Sequence, residues 1–153
     1  MFRRTLAALA VTGVTALATV AAAAEADVTV TGAWSRASVG TIRPGVVYFT
    51  LANQGGTPLT ITGIETAVAE KPMVHRTIKA DDGTMSMAPA GPVTVAPGDS
   101  VKLEPGGLHG MLMKLTDPLE EGDSYKLRIL FEKADPVEIT VPVRAITATG
   151  PEG

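Results

Sequence analysis

Hydrophobic and polar residues alternate with a period of two in several short segments of the chain after residue 26. The alternation is strictest in segments 125–131 and 137–143, where every second residue is apolar. This pattern is typical of β-strands with one buried face and one face in water.

Eight further segments have the character of strands: 27–34, 46–52, 59–64, 73–79, 84–88, 93–95, 101–103 and 108–115. Turn residues separate them at intervals of about 8–12 residues, which is typical of a β-sandwich or barrel. In the first strand, the alternation predicts that Val28, Val30 and Trp34 share one face. We therefore expect an all-β domain over residues 27–146 and a flexible tail at 147–153.

The first 24 residues have the three-part pattern of a secretory signal peptide. Arg3 and Arg4 precede an uncharged, alanine-rich stretch, and small residues then offer cleavage after Ala24 or after Ala26. The stretch is weakly apolar and no stop-transfer sequence follows it, so export with cleavage is favoured over a membrane anchor. We expect a periplasmic protein without stable membrane insertion after cleavage.

Composition excludes several classes of function. The formal net charge is −3, and cleavage after Ala24 would leave 11 basic against 16 acidic residues, so no basic surface for nucleic acid is expected. The chain has no cysteine, which excludes a thiolate zinc site, a Cys nucleophile and the blue-copper centre of electron-transfer cupredoxins. No nucleophile motif or phosphate-binding loop is present either, so an enzyme is not expected.

Methionine and histidine are concentrated in one part of the sequence. Apart from Met1, all methionines lie between residues 73 and 113, and both histidines of the chain, His75 and His109, lie in the same window. Methionines that merely fill core gaps would be scattered. The clustering therefore indicates a binding site.

Strand geometry shows how these side chains can converge. Residues at i and i+2 share a face of a strand, so His109, Met111 and Met113 point the same way. Met85 and Met87 share a face of another strand, and Met73 lies beside His75 on a third. If these strands meet at one end of the domain, imidazoles and thioethers form a neutral, soft ligand set that suits Cu(I) better than zinc, calcium or magnesium. The glycines of 105–107 are expected to form the turn that brings His109 to the rim.

The spacing of four of these residues resembles a family signature. His75, Met87, His109 and Met111 fit the pattern H(M)x10Mx21HxM of the periplasmic copper chaperones called PCu(A)C, with Arg76 in place of the optional methionine. The resemblance extends over about residues 28–143 and includes "GAWSRAS", "VVYFTLANQGG", "DDGTMSMAP" and "VAPGDSVKLEPGGLHGMLMKL".

This resemblance implies a cupredoxin-like Greek-key β-sandwich that binds one Cu(I) ion through His75, Met87, His109 and Met111. It also implies delivery of copper to a recipient such as the copper-site subunit of cytochrome c oxidase, often together with a Sco-type thiol protein. Met73, Met85 and Met113 either assist the site or pack. Copper buffering or resistance without a delivery partner remains the main alternative, and an interaction domain with incidental His and Met residues is another.

Overall fold

A computed structural model describes residues 27–153, which form ten β-strands and no helix. The predicted signal peptide, with both of its cleavage sites, lies outside the described residues. The strands are β1 (Val28–Arg36), β2 (Gly45–Asn53), β3 (Leu59–Thr66), β4 (Ala69–Lys79), β5 (Met85–Pro89), β6 (Val93–Val95), β7 (Ser100–Leu103), β8 (Leu108–Leu115), β9 (Ser124–Phe131) and β10 (Val137–Arg144). Each predicted strand corresponds to one of these, so the all-β prediction is confirmed.

The strands form one continuous mixed sheet in the order β5-β4-β8-β7-β2-β1-β10-β9-β3-β6, with β8 also pairing directly with β2. In this order, the six strands from β5 to β1 make one layer, and the four strands from β10 to β6 make the other. A short parallel pairing between the ends of β1 and β10 joins the two layers. The buried residues of both layers pack into one main core, which includes Val47, Phe49, Leu51, Ile64, Val74, Leu112, Leu127, Ile129 and Val141.

Strand β1 contains a β-bulge that changes which residues share a face. Val30 pairs with Leu51 of β2, but Trp34 pairs with Tyr48, so β1 has one extra residue between these two points. Gly32, with φ of 60°, lies within the bulge and adopts the left-handed conformation that glycine tolerates best. The prediction that Val28, Val30 and Trp34 share a face is therefore wrong.

Trp34 belongs instead to a small second cluster outside the main core. Its ring lies 4.7 Å from that of Tyr48, and Ala148 is buried against them. The guanidinium of Arg36 lies over both rings, and its Nε donates a hydrogen bond of 2.7 Å to the carbonyl of Ala148. One residue of the tail predicted to be flexible is thus packed, while the flexibility of 147–153 stays a prediction.

Strand β4 begins at Ala69, four residues earlier than the sequence pattern indicates, and it includes Pro72. Proline cannot donate to a ladder and is tolerated where one side of a strand has no partner. Strand β5 pairs only with residues from His75 to Lys79, so the β5 side of β4 is unpaired at Pro72. Within residues 27–153, no helix has the length and hydrophobicity that a membrane span requires.

Candidate metal site

The three segments that carry histidine and methionine are neighbouring strands of one layer. Strand β4 lies between β8 and β5, and its register places His75 directly opposite His109 and Met73 directly opposite Met111. On the other side of β4, Met87 lies opposite Thr77. Directly paired residues lie on the same face of a sheet. The three separate strand faces expected from the sequence are therefore one continuous face.

The two histidines are buried side by side. Their ring centroids are 6.1 Å apart with the planes at 68°, and their exposed fractions are 8% for His75 and 3% for His109. Neither nitrogen of His75 has a hydrogen-bond partner, and Nε2 of His109 has none. An unsatisfied buried polar atom costs about 1–3 kcal/mol, and a metal ion bound by one nitrogen of each ring would relieve part of this cost.

The turn before β8 fixes the orientation of the His109 ring. The carbonyl of Gly107 lies 3.1 Å from Nδ1 of His109 and also accepts a hydrogen bond from the amide of Thr77. Because a carbonyl only accepts, Nδ1 is the donor of this contact, and in the neutral tautomer that it favours Nε2 is the nitrogen with a lone pair for a metal ion. Gly106, with φ of 84°, supplies the left-handed residue of this turn. The glycines thus orient His109, but they leave it buried and do not bring it to the rim.

Burial favours the neutral form of the His75 imidazole. Burial lowers the pKa of His75 below its usual 6.5, and the neighbouring His109 lowers it further. An imidazole must be neutral to bind a metal ion. His75 is therefore ready for binding at neutral pH without losing a proton.

Gly110, between His109 and Met111, allows β8 to approach the core closely. A Cβ at this position would lie 2.4 Å from Cγ1 of Val47 and 3.0 Å from Cδ1 of Ile64. Real Cβ atoms do not approach so closely, so only glycine fits. The residue that separates two of the predicted ligands is fixed by packing on the opposite face.

The methionines differ in exposure according to their strand. Met85 and Met87, on the edge strand β5, are 56% and 57% exposed. Met73, Met111 and Met113, on β4 and β8, are partly buried. The candidate site therefore has a buried side formed by the histidines and an open side formed by β5.

The donor set contains no hard ligand. Residues 27–153 hold no group of three or more His, Cys, Asp or Glu side chains that could bind a metal ion. Zinc usually needs thiolate or carboxylate ligands in addition to histidine, and calcium or magnesium needs oxygen. Two imidazoles among thioethers fit Cu(I). The structure brings His75, His109 and Met111 together and places Met87 at the edge; their role as ligands stays a prediction.

A cavity of about 610 Å³ lies beside the start of β4. The β3–β4 turn and β9 line it, and no histidine or methionine reaches it. The charged residues along it include the exposed ion pair between Arg128 and Glu65.

The sequence matches the model of the LpqE-like family, described as "Putative lipoprotein LpqE-like", over residues 28–143. A curated relative, "Putative lipoprotein Lxx21020" of Leifsonia xyli subsp. xyli (strain CTCB07), is 30% identical over 93 residues. The match covers 60% of this chain and 55% of the relative, so the chain spans about half the length of that protein.

Solved structures of copper domains have the same fold. The copper-bound PCuAC domain from PmoF2 has 23% identity and a TM-score of 0.65, with 80% of this chain and 96% of that one covered. Apo-DR1885 from Deinococcus radiodurans has 28% identity and a TM-score of 0.60, with 94% and 97% covered. Its Cu(I) form has 30% identity and a TM-score of 0.60, with 81% and 83% covered. The cupredoxin-like fold prediction is thereby confirmed.

Proposed function

Because this chain belongs to the LpqE-like family and is a PCu(A)C-type domain, we propose that it binds one Cu(I) ion and carries it between proteins outside the cytoplasmic membrane. The proposed ligands are His75, Met87, His109 and Met111. One observation carries the proposal: His75 and His109 hold three buried, unpartnered nitrogens on a sheet face otherwise rich in thioethers. The copper-bound states of the similar domains support it.

The chemistry of the ligands suits a carrier. Thioethers do not titrate, and burial lowers the pKa of His75, so this imidazole needs no deprotonation to bind Cu(I) near pH 7. The histidines are held rigidly by paired strands, while Met87 is exposed at the edge. A ligand of a partner protein can approach from this open side before all of the carrier's own ligands are released. Copper then passes through an intermediate in which both proteins share it.

The proposed location is the periplasm, reached through the predicted signal peptide. The match to a family described as lipoproteins and the likeness to PCuAC domains support an exported protein. The proposed recipients are the copper-site subunit of cytochrome c oxidase or a Sco-type thiol protein, and both are proposed from the family resemblance.

The test begins with anaerobic titration of the purified domain against a Cu(I) chelator. We expect one Cu(I) per chain, and a loss of competition in His75→Ala and His109→Ala. No competition by the wild-type protein would contradict the proposal. Asn53→Ala, which changes a buried residue on β2, serves as a control for general destabilisation.

Transfer separates carriage from buffering. The Cu(I)-loaded domain is mixed with the apo copper-site domain of the oxidase or with a reduced Sco-type protein, and copper in each is measured after separation. Carriage predicts transfer to one of these acceptors. A protein that buffers copper would retain it in both mixtures.

A further inference from the structure

Met73 is better placed than Met87 to contact an ion held by the two histidines. It lies directly opposite Met111 and two residues before His75, on the same face. Directly opposed side chains have Cβ atoms about 4.5–5.5 Å apart, and diagonal pairs are about 7–8 Å apart. His75, His109, Met73 and Met111 therefore occupy the four corners of a compact patch formed by β4 and β8 alone.

Met87 is more distant from this patch. It lies on β5, on the side of β4 away from β8, and is opposite Thr77. Thr77 is four residues further along β4 than Met73, which is opposite Met111. On a flat sheet, the Cα atoms of Met87 and Met111 would be about 16 Å apart, given a rise of about 3.3 Å per residue and about 4.8 Å between strands. The hairpin of β4 and β5 must therefore curve over the face for both sulfurs to reach one ion.

The partial burial of Met73 does not come from the main core. Next to Met73 and Met111, the core residues of β4 and β8 are the neighbours of opposite parity, Val74 and Leu112, and Met73 is not among the residues packed against the main core. Met73 belongs to the outward face, where its register partner is Met111. Its strand position therefore neighbours those of Met111 and His75 on this face, and its side chain does not fill the main core.

We propose that Met73 is a further sulfur ligand, and that Met73 and Met87 alternate in the last coordination position of Cu(I). With Met87 bound, the ion is enclosed from the edge. With Met87 withdrawn, β4 and β8 retain the ion through His75, His109, Met73 and Met111, and the edge is free for a partner's ligand. This inference rests on the proposed Cu(I) carriage and assigns the residue that holds copper during exchange.

A double-mutant cycle tests the alternation. The variants are M73L, M87L and M73L/M87L, since exchange of Met for Leu nearly conserves volume. Thermal unfolding of the apo proteins confirms that each is folded. M113L is the matched control, because Met113 lies on the same face of β8 but opposite Lys71. Cu(I) affinity is measured by chelator competition, and sulfur neighbours are counted by X-ray absorption.

We expect each single variant to lose less than about tenfold in affinity, since the other methionine takes its place, and the double variant to lose more than the product of the two. In M87L the number of sulfur neighbours stays as in the wild type, whereas in the double variant it falls by one. M113L should bind as the wild type does.

Equal affinities and sulfur counts for M87L and M73L/M87L would overturn the assignment of Met73. That outcome differs from failure of the proposed function, in which the wild-type protein itself would not compete for Cu(I). A loss in M113L as large as in M73L would also overturn it, because the effect would then reflect packing of the face and not coordination.

Discussion

His75 and His109 face each other across the β4–β8 ladder with their ring centroids 6.1 Å apart and no hydrogen bond between them. Two buried imidazoles that together leave three ring nitrogens without a hydrogen-bond partner are unfavourable in the absence of a ligand. The arrangement is therefore better explained by binding than by stability. The first two predictions follow from the unfavourable burial of these imidazoles.

His75→Leu should stabilise the apo protein while abolishing Cu(I) binding. The substitution removes two unpartnered nitrogens and places an apolar side chain in a mostly buried position, so we expect a gain of about 1 kcal/mol in the free energy of unfolding. Thermal and denaturant unfolding of the apo protein measure the gain, and chelator competition measures the loss of copper. His109→Leu is the control, because it also removes the hydrogen bond to Gly107 and should bring no comparable gain. A lower stability of His75→Leu would mean that the imidazole makes a favourable contact in the apo protein.

The stability of the apo protein should fall as the pH falls below about 6.5. Burial and the neighbouring His109 hold the pKa of His75 below its usual 6.5 in the folded state. The unfolded chain therefore binds more protons in the range between the folded pKa and 6.5, and protonation favours unfolding there. Above 6.5, His75 contributes no pH dependence. Chemical denaturation of the wild-type protein between about pH 5 and 8, where histidine titrates, should show this decline. A weaker decline in His75→Leu is required, and an equal one would assign the effect to other groups.

The sequence predicts the strands well because the fold depends on alternation and turns, which are local. Strand β9 shows this clearly: Tyr125, Leu127, Ile129 and Phe131 are all buried, as their period of two indicates. Trp34 is the exception. The bulge at Gly32 shifts the alternation by one residue, and a glycine in a strand does not reveal by itself whether the strand bulges.

The candidate site was harder to predict, because its geometry depends on pairing between distant strands. Spacing along the chain selects Met87 but contains no information on register. Only the pairing of β4 with β8 shows that Met73 lies opposite Met111. The carbonyl of Gly107, which orients His109, is a backbone group and has no signal in the sequence beyond the turn itself. In the sequence, the only indication that Met73 belongs to the candidate site is its position near His75.

Asn53→Ala should destabilise the protein by about 2 kcal/mol without changing its Cu(I) affinity. The buried side-chain amide donates to the carbonyls of Thr57 and Val95 and accepts from the amide of Gly55, at 2.8–3.0 Å. Its removal leaves buried backbone groups without partners. Asn53 ends β2, whereas Val46, which lies opposite Met111, is near the start, so the candidate site should be unaffected. Denaturant unfolding and chelator competition measure the two effects. Gln54→Ala, at an exposed neighbour, should change neither, and a loss of copper affinity in Asn53→Ala would show that the two ends of β2 are linked.

Gly110→Ala should weaken both the fold and copper binding, because packing on one face of β8 positions the ligands on the other. The added methyl group would lie 2.4 Å from Cγ1 of Val47, and overpacking of this kind costs about 1–3 kcal/mol. Relief requires β8 to shift relative to β2, which changes the positions of His109 and Met111 relative to β4. We therefore expect a lower melting temperature and a Cu(I) affinity reduced by about tenfold or more. Gly107→Ala is the matched control, since its new Cβ would meet nothing closer than Cγ of Glu104 at 3.6 Å. Adding Val47→Ala to Gly110→Ala makes room for the methyl group and should restore part of the copper affinity even though Val47→Ala alone is destabilising. If the double variant binds copper no better than Gly110→Ala, the close approach of β8 to Val47 is not what positions the ligands.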